Sequence, residues 1–134
     1  MLTQQTYIML KPDALKMQLL GEIITRIEKK GYQIVQAKLM QLDAPIIAEL
    51  YAHLTDQPFY PKLERYMLSG PVFGMVLEGE DVIRGMRAMM GPTNVFEAAP
   101  GTIRGDYATD VTYNLIHGSD TPETAEAEIK RFFY

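Results

Sequence analysis

The chain has 134 residues, of which 47% are hydrophobic and 22% charged, and it contains no cysteine. That length supports one sizeable core without covalent staples, and the composition excludes a disordered tail or a fibrous repeat. Thirteen Lys+Arg against 17 Asp+Glu give a net charge of −4. That balance excludes an overall basic footprint for a nucleic-acid backbone or an anionic membrane, so nucleic acid is not expected as a primary partner.

Without cysteine, disulfides, thiolate catalysis and cysteine-ligated metals are excluded, and the two histidines cannot build a multi-histidine metal site. No apolar run reaches the roughly 18 residues needed to span a bilayer, and the N-terminus lacks a secretory pattern. The expectation is one cytoplasmic domain over residues 1–134, with no membrane partner.

Thr6 to Leu10 is a β-branched, aromatic and apolar run that reads as a buried strand, stopped by Lys11-Pro12-Asp13. Leu20, Ile23, Ile24 and Ile27 recur at helical spacing over Leu19 to Lys30, with Gly31 as the expected C-terminal cap. Tyr32 to Leu42 alternates like a long half-buried strand, in which Leu39 is one of the apolar markers. Pro45 to Leu54 and Pro61 to Leu68 read as helices separated by Asp56-Gln57-Pro58. Val72 to Leu77 reads as a second apolar strand, and Asp81 to Met90 as a helix with Val82, Met86 and Met89 on one side.

Gly91 to Asp110 is rich in glycine and proline and reads as a long irregular functional loop. Asn114 to His117 is a short strand. Thr121 and Pro122 open a final helix that buries Ala125, Ile129 and Phe132. The order is an α+β, ferredoxin-like βαββαβ antiparallel sheet, with helices expected on one face, extra helices inserted after the second strand, and a long loop before the last strand.

His117 is the most informative residue. It ends a strand next to Gly118, with a helix N-terminus following, a setting that favours an anion. Imidazole is a competent phosphoryl acceptor near neutral pH, although a strand-end histidine also serves merely as a hydrogen-bonding group. Arg87, Thr93, Arg104 and Asn114 lie in or beside the preceding loop, and Lys11 ends the first strand where a Pro-Asp turn points it to the same edge. Arginine forks and small hydroxyls suit phosphate oxygens, so the group asks for an anionic ligand. No P-loop and no dinucleotide fingerprint is present. Phe59 offers a ring on which a base can stack, whereas Tyr60 reads as packing.

Six segments then carry a resemblance: TYIMLKPDA at 6–14, GEIITRIEKKGY at 21–32, YMLSGPV at 66–72, GPTN at 91–94, PGTIRGD at 100–106 and NLIHGSD at 114–120. Over nearly its full length the chain resembles the nucleoside diphosphate kinases. The resemblance implies reversible ping-pong transfer of a γ-phosphoryl group between nucleoside tri- and diphosphates. His117 is then the nucleophile through Nδ1, and Glu128 the carboxylate that fixes its ring. Ser119 is similar to the serine linked to that glutamate, and Tyr51 to the tyrosine lying against the histidine.

Lys11 and Asn114 are similar to the residues at the sugar and a phosphate. Arg87 and Thr93 resemble the β-phosphate pair, and Arg104 the arginine of the transferred group. Phe59 and Val111 resemble the two sides of the base sandwich. Mg²⁺ is implied as the nucleotide's counter-ion, with Asp120 holding one of its waters. His53 matches no functional position and reads as a surface or packing histidine.

The chain departs from the family where Val95 stands in place of a usual proline and Pro92 in place of an often acidic residue. The loop in question contributes to subunit contacts in relatives, so weaker assembly is expected. The chain ends at Tyr134 without the extension of longer members, and a tetramer and a hexamer both stay open. The competing reading is a non-catalytic nucleotide-binding module that has kept the pocket. The joint presence of nucleophile, orienting acid and phosphate cations favours the enzyme.

Overall fold

A computed structural model describes residues 3–134. The strands are β1 (Thr3–Leu10), β2 (Gln33–Met40), β3 (Val72–Glu80) and β4 (Ile116–Gly118). They form one antiparallel sheet in the order β2-β3-β1-β4. The helices are α1 (Pro12–Lys16), α2 (Leu20–Lys30), α3 (Ala44–Leu50), α4 (Tyr60–Leu68), α5 (Val82–Met90), α6 (Ile103–Tyr107) and α7 (Pro122–Phe133).

The expected sheet and insertion are present, but helices cover both faces of the sheet. Successive side chains of a strand point to opposite faces, so a central strand that is buried at every position from Thr6 to Leu10 needs cover on each side. In β1, Ile8 and Leu10 pack with Ile23 and Ile27 of α2 and Met86 and Met90 of α5. Tyr7 and Met9 pack on the other face with Ile47 of α3, Leu63 and Met67 of α4, and Phe132 of α7. Tyr60 belongs to this second core, as its reading as packing anticipates.

Local chemistry sets the boundaries. Gly31 caps α2 in the left-handed region at φ 100°, a conformation that costs glycine least. The Thr121 hydroxyl accepts from Thr124 N at 3.1 Å and opens α7, with Pro122 at its first turn. The Lys11-Pro12-Asp13 segment opens α1 instead of forming a free turn, because Pro12 sits where a helix needs no N–H.

The pairing of β2 to β3 slips between Ile34 and Gln36, which leaves Val35 as the extra residue and breaks the alternation that the sequence promises. As an edge strand, β2 also leaves Leu39 61% exposed. The Gly91–Asp110 stretch holds more order than expected: a single 3₁₀ turn at Val95–Glu97, and α6. The Thr102 hydroxyl caps α6 by accepting from Gly105 N at 3.0 Å.

Candidate active site

His117 lies opposite Met9 in the β4–β1 ladder and therefore shares the face of Tyr7 and Met9, the side covered by α3, α4 and α7. Its Nε2 lies 2.8 Å from Oε2 of Glu128, a buried residue on α7. Ser119 Oγ donates to the other carboxylate oxygen at 2.6 Å. An ionised carboxylate can only accept, so Nε2 carries the proton and Nδ1 presents its lone pair. The Tyr51 ring stands edge-on to the imidazole, with centroids 6.4 Å apart, and the Tyr7 ring lies 6.3 Å away. Burial, reinforced by the Glu128 charge, pushes the Tyr51 hydroxyl above its usual range, and that hydroxyl has no partner among the described residues.

The cations converge on the same place. Lys11 is 5% exposed and donates from Nζ to Asn114 Oδ1 at 2.7 Å. Asn114 Nδ2 in turn donates to the Val111 carbonyl at 3.1 Å. Arg104 donates to the carbonyls of Ile116 at 2.6 Å, Gly91 at 2.9 Å and Asn114 at 3.3 Å. Arg87 reaches the Gly118 carbonyl at 3.2 Å.

Leu115 makes this cluster of acceptors available. It takes a left-handed φ of 77°, which is costly for a side chain with a Cβ, and its own carbonyl accepts from Lys11 N at 2.8 Å. Among the described residues no carboxylate pairs with Lys11, Arg87 or Arg104. Burial and the neighbouring Arg104 charge lower Lys11 to about 7, and burial with the Arg87 charge lowers Arg104 to about 10. Cations that repel one another, with no carboxylate in ion-pair contact among the described residues, form a site shaped for an anion.

These groups line one cleft of about 640 Å³. Lys11, Tyr51, Arg87, Thr93, Arg104, Asn114, His117, Asp120 and Glu128 all border it, as the sequence leads one to expect. Phe59 and Val111 do not line it and lie about half exposed, at 49% and 51%. Three ionisable residues border the cleft without having been singled out for it: His53, Glu49 and Arg131. Arg131 had a readable signal, standing three residues after Glu128 on one helix face. Glu49 pairs with it at 3.2 Å. His53 is at the surface as expected, yet it faces the cleft, because α3 ends at Leu50 and a separate 3₁₀ turn (Ala52–Leu54) carries it.

No group of three or more His, Asp or Glu that could hold a metal occurs among the described residues. Asp120 stands in the cleft as an exposed single carboxylate.

A sequence model of the family described as "Nucleoside diphosphate kinase" matches residues 4–134. A protein of Listeria innocua named nucleoside diphosphate kinase is 52% identical over 130 residues, covering 97% of this chain and 88% of the relative. The solved structure of a halophilic nucleoside diphosphate kinase from Halobacterium salinarum in complex with CDP superposes with a TM-score of 0.95 at 46% identity, covering 98% of this chain and 88% of that one. The Aquifex aeolicus nucleoside diphosphate kinase superposes with a TM-score of 0.94 at 40% identity, covering 99% and 96% of the two chains. With the match extending over nearly every residue, the chain belongs to the nucleoside diphosphate kinase family.

Proposed function

We propose that this chain moves a γ-phosphoryl group from a nucleoside triphosphate to a nucleoside diphosphate through a phosphohistidine at His117. The observation that carries the reading is the presence in one cleft of an imidazole oriented by Glu128 and three cations lacking any carboxylate partner. Nδ1 of His117 attacks the γ-phosphorus in line; the N–P bond forms as the bond to the β-γ bridging oxygen breaks, and the nucleoside diphosphate departs. A second diphosphate then attacks the phosphohistidine with a terminal oxygen, which releases a triphosphate and restores the imidazole.

Glu128 holds the Nε2 proton through both steps and balances the charge that develops on the ring. Lys11, Arg87 and Arg104 neutralise charge spread over the phosphoryl oxygens, and Thr93 adds a hydroxyl donor. Asn114 and Lys11 hold the sugar, while Tyr51 covers one side of the imidazole. Phe59 and Val111 sandwich the base by its faces, and because every base has such a face, the pocket accepts many bases.

The donor set fits a Mg²⁺ that arrives on the phosphates: Asp120, an exposed carboxylate of the cleft, would hold a water of the ion, and among the described residues no group of three or more His, Asp or Glu offers an all-protein cage. The ion supplies charge neutralisation of the polyphosphate. Val35, Leu39 and Phe96 are exposed apolar side chains, Phe96 at 80%, and they support a homo-oligomer, a tetramer or a hexamer. No helix among the described residues is long and apolar enough to cross a membrane. We place the activity in the cytoplasm, with the nucleotides it interconverts.

Incubation with γ-labelled ATP and Mg²⁺ tests the reading. An acid-labile, base-stable label on His117, chased off by several different nucleoside diphosphates, is the expected outcome. Nucleotide binding without label would replace the enzyme by a binding module.

A further inference from the structure

The cleft lies at one end of the sheet and is bounded by elements from both faces. Its cations come from the end of β1, from α5, from α6 and, in Arg131, from α7. The segment of α3 and the turn after it contributes Glu49, Leu50, Tyr51, His53 and Leu54, with Lys11 Nζ 5.9 Å from the centre of the Tyr51 ring. Of these five, only the Tyr51 hydroxyl and the His53 ring can donate a hydrogen bond. The Tyr51 hydroxyl is buried, and the Tyr51 ring is committed to packing against His117.

A polyphosphate chain presents oxygens on all sides, and within the segment 49–54 His53 is the exposed side-chain donor, with Arg131 of α7 joined to the same segment through Glu49. Among the described residues the hydrogen bonds of the cleft leave the His53 ring out. Glu49 is engaged by Arg131, and Glu128 by His117 and Ser119. Among the described residues no ion pair uses the His53 ring. A neutral imidazole always carries one N–H, so it can donate to a phosphate oxygen whichever tautomer it adopts.

We infer that His53 is a nucleotide-contact residue, donating from its imidazole to the phosphate chain in the cleft that it lines together with Lys11 and Arg87. The inference rests on the phosphoryl-transfer reading and assigns His53 to binding, leaving the chemical step to His117. Its position on a one-turn segment beside Tyr51 lets the ring approach the ligand without disturbing the buried cluster around Glu128.

The test compares the wild-type protein, His53→Ala and His53→Gln with Mg·ATP and a nucleoside diphosphate. Loss of one hydrogen bond to a phosphate oxygen at a partly open site predicts a KM for the diphosphate raised roughly 3- to 10-fold in His53→Ala, with kcat within about twofold. His53→Gln keeps an N–H donor and recovers most of the affinity. Direct binding weakens for ADP and stays unchanged for adenosine, while the thermal midpoint of both variants matches the parent. Equal KM in all three proteins overturns the inference. So does an equal loss for adenosine, which would place the ring at the base or sugar, or a fall in kcat at constant KM. A wild-type protein that neither turns over nor takes label on His117 overturns instead the reading on which the inference rests.

Discussion

Glu128 binds two groups at once, His117 Nε2 at 2.8 Å and Ser119 Oγ at 2.6 Å, and both contacts lie in a buried pocket. A carboxylate that selects the tautomer of a nucleophilic imidazole acts on the rate far more than on binding. Glu128→Ala is expected to lower kcat by about 10²-fold or more, whereas Glu128→Gln, whose amide oxygen still accepts from Nε2, loses less. Single-turnover phosphorylation of His117 measures this, and equal rates for the two variants would refute it. Lys11 gives a different signature. Its ammonium is lowered to about 7 by burial and Arg104, so in the free protein at about pH 8 it is mostly neutral. A phosphate brought alongside favours the charged form and raises its pKa, so binding takes up a proton and affinity falls as pH rises from about 7 to 8. Calorimetry of ADP binding at about pH 8, in buffers of different ionisation enthalpy, is expected to show uptake approaching one proton, reduced in Lys11→Arg. Buffer-independent heats would refute it.

Helix α6 is only five residues long, yet it carries Arg104 into the cleft. It is held by the Thr102 cap and by the close approach of the Ala99 carbonyl to Gly105, where an added Cβ would fall 1.9 Å from that oxygen. Backbone cannot yield as a flexible side-chain tip does. Gly105→Ala is therefore expected to shift α6 and cost about 1–3 kcal/mol, read as a midpoint lower by several degrees together with weaker nucleotide binding. An unchanged midpoint would sink this account. At this scale the strands and long helices were legible from periodicity: TYIML is buried at every position, and Gly31 ends α2 where expected. Four features were not legible. The slip at Val35 is decided by pairing with β3, and the exposure of Leu39 by its edge position. The left-handed Leu115 is imposed by the carbonyl contacts around it, and no local propensity announces it. Likewise His53 reaches the cleft only because α3 stops at Leu50 and a 3₁₀ turn follows, a change of period that composition does not reveal.

At the scale of the whole molecule, a chain of net charge −4 gathers Lys11, Arg87 and Arg104 in one cleft, so its acidic balance leaves a local positive site that draws anions in. Two cores, one on each face of the sheet, meet along β1, and His117 sits beside that strand on β4, which anchors the nucleophile in the part of the fold with most tertiary support. The loop before β4 governs the assembly prediction. Val95 is buried under its 3₁₀ turn while Phe96 beside it is 80% exposed. Restoring the family's proline with Val95→Pro fixes φ at the start of that turn and is expected to move subunit dissociation to lower concentration; identical mass-against-dilution curves for parent and variant would sink the idea. The anchoring of Arg104 has a historical consequence. Its three partners are main-chain oxygens of Gly91, Asn114 and Ile116, atoms that every amino acid possesses. Descendants of this protein can therefore exchange most of the surrounding side chains by drift and still inherit the guanidinium's aim, provided the path of the backbone is kept.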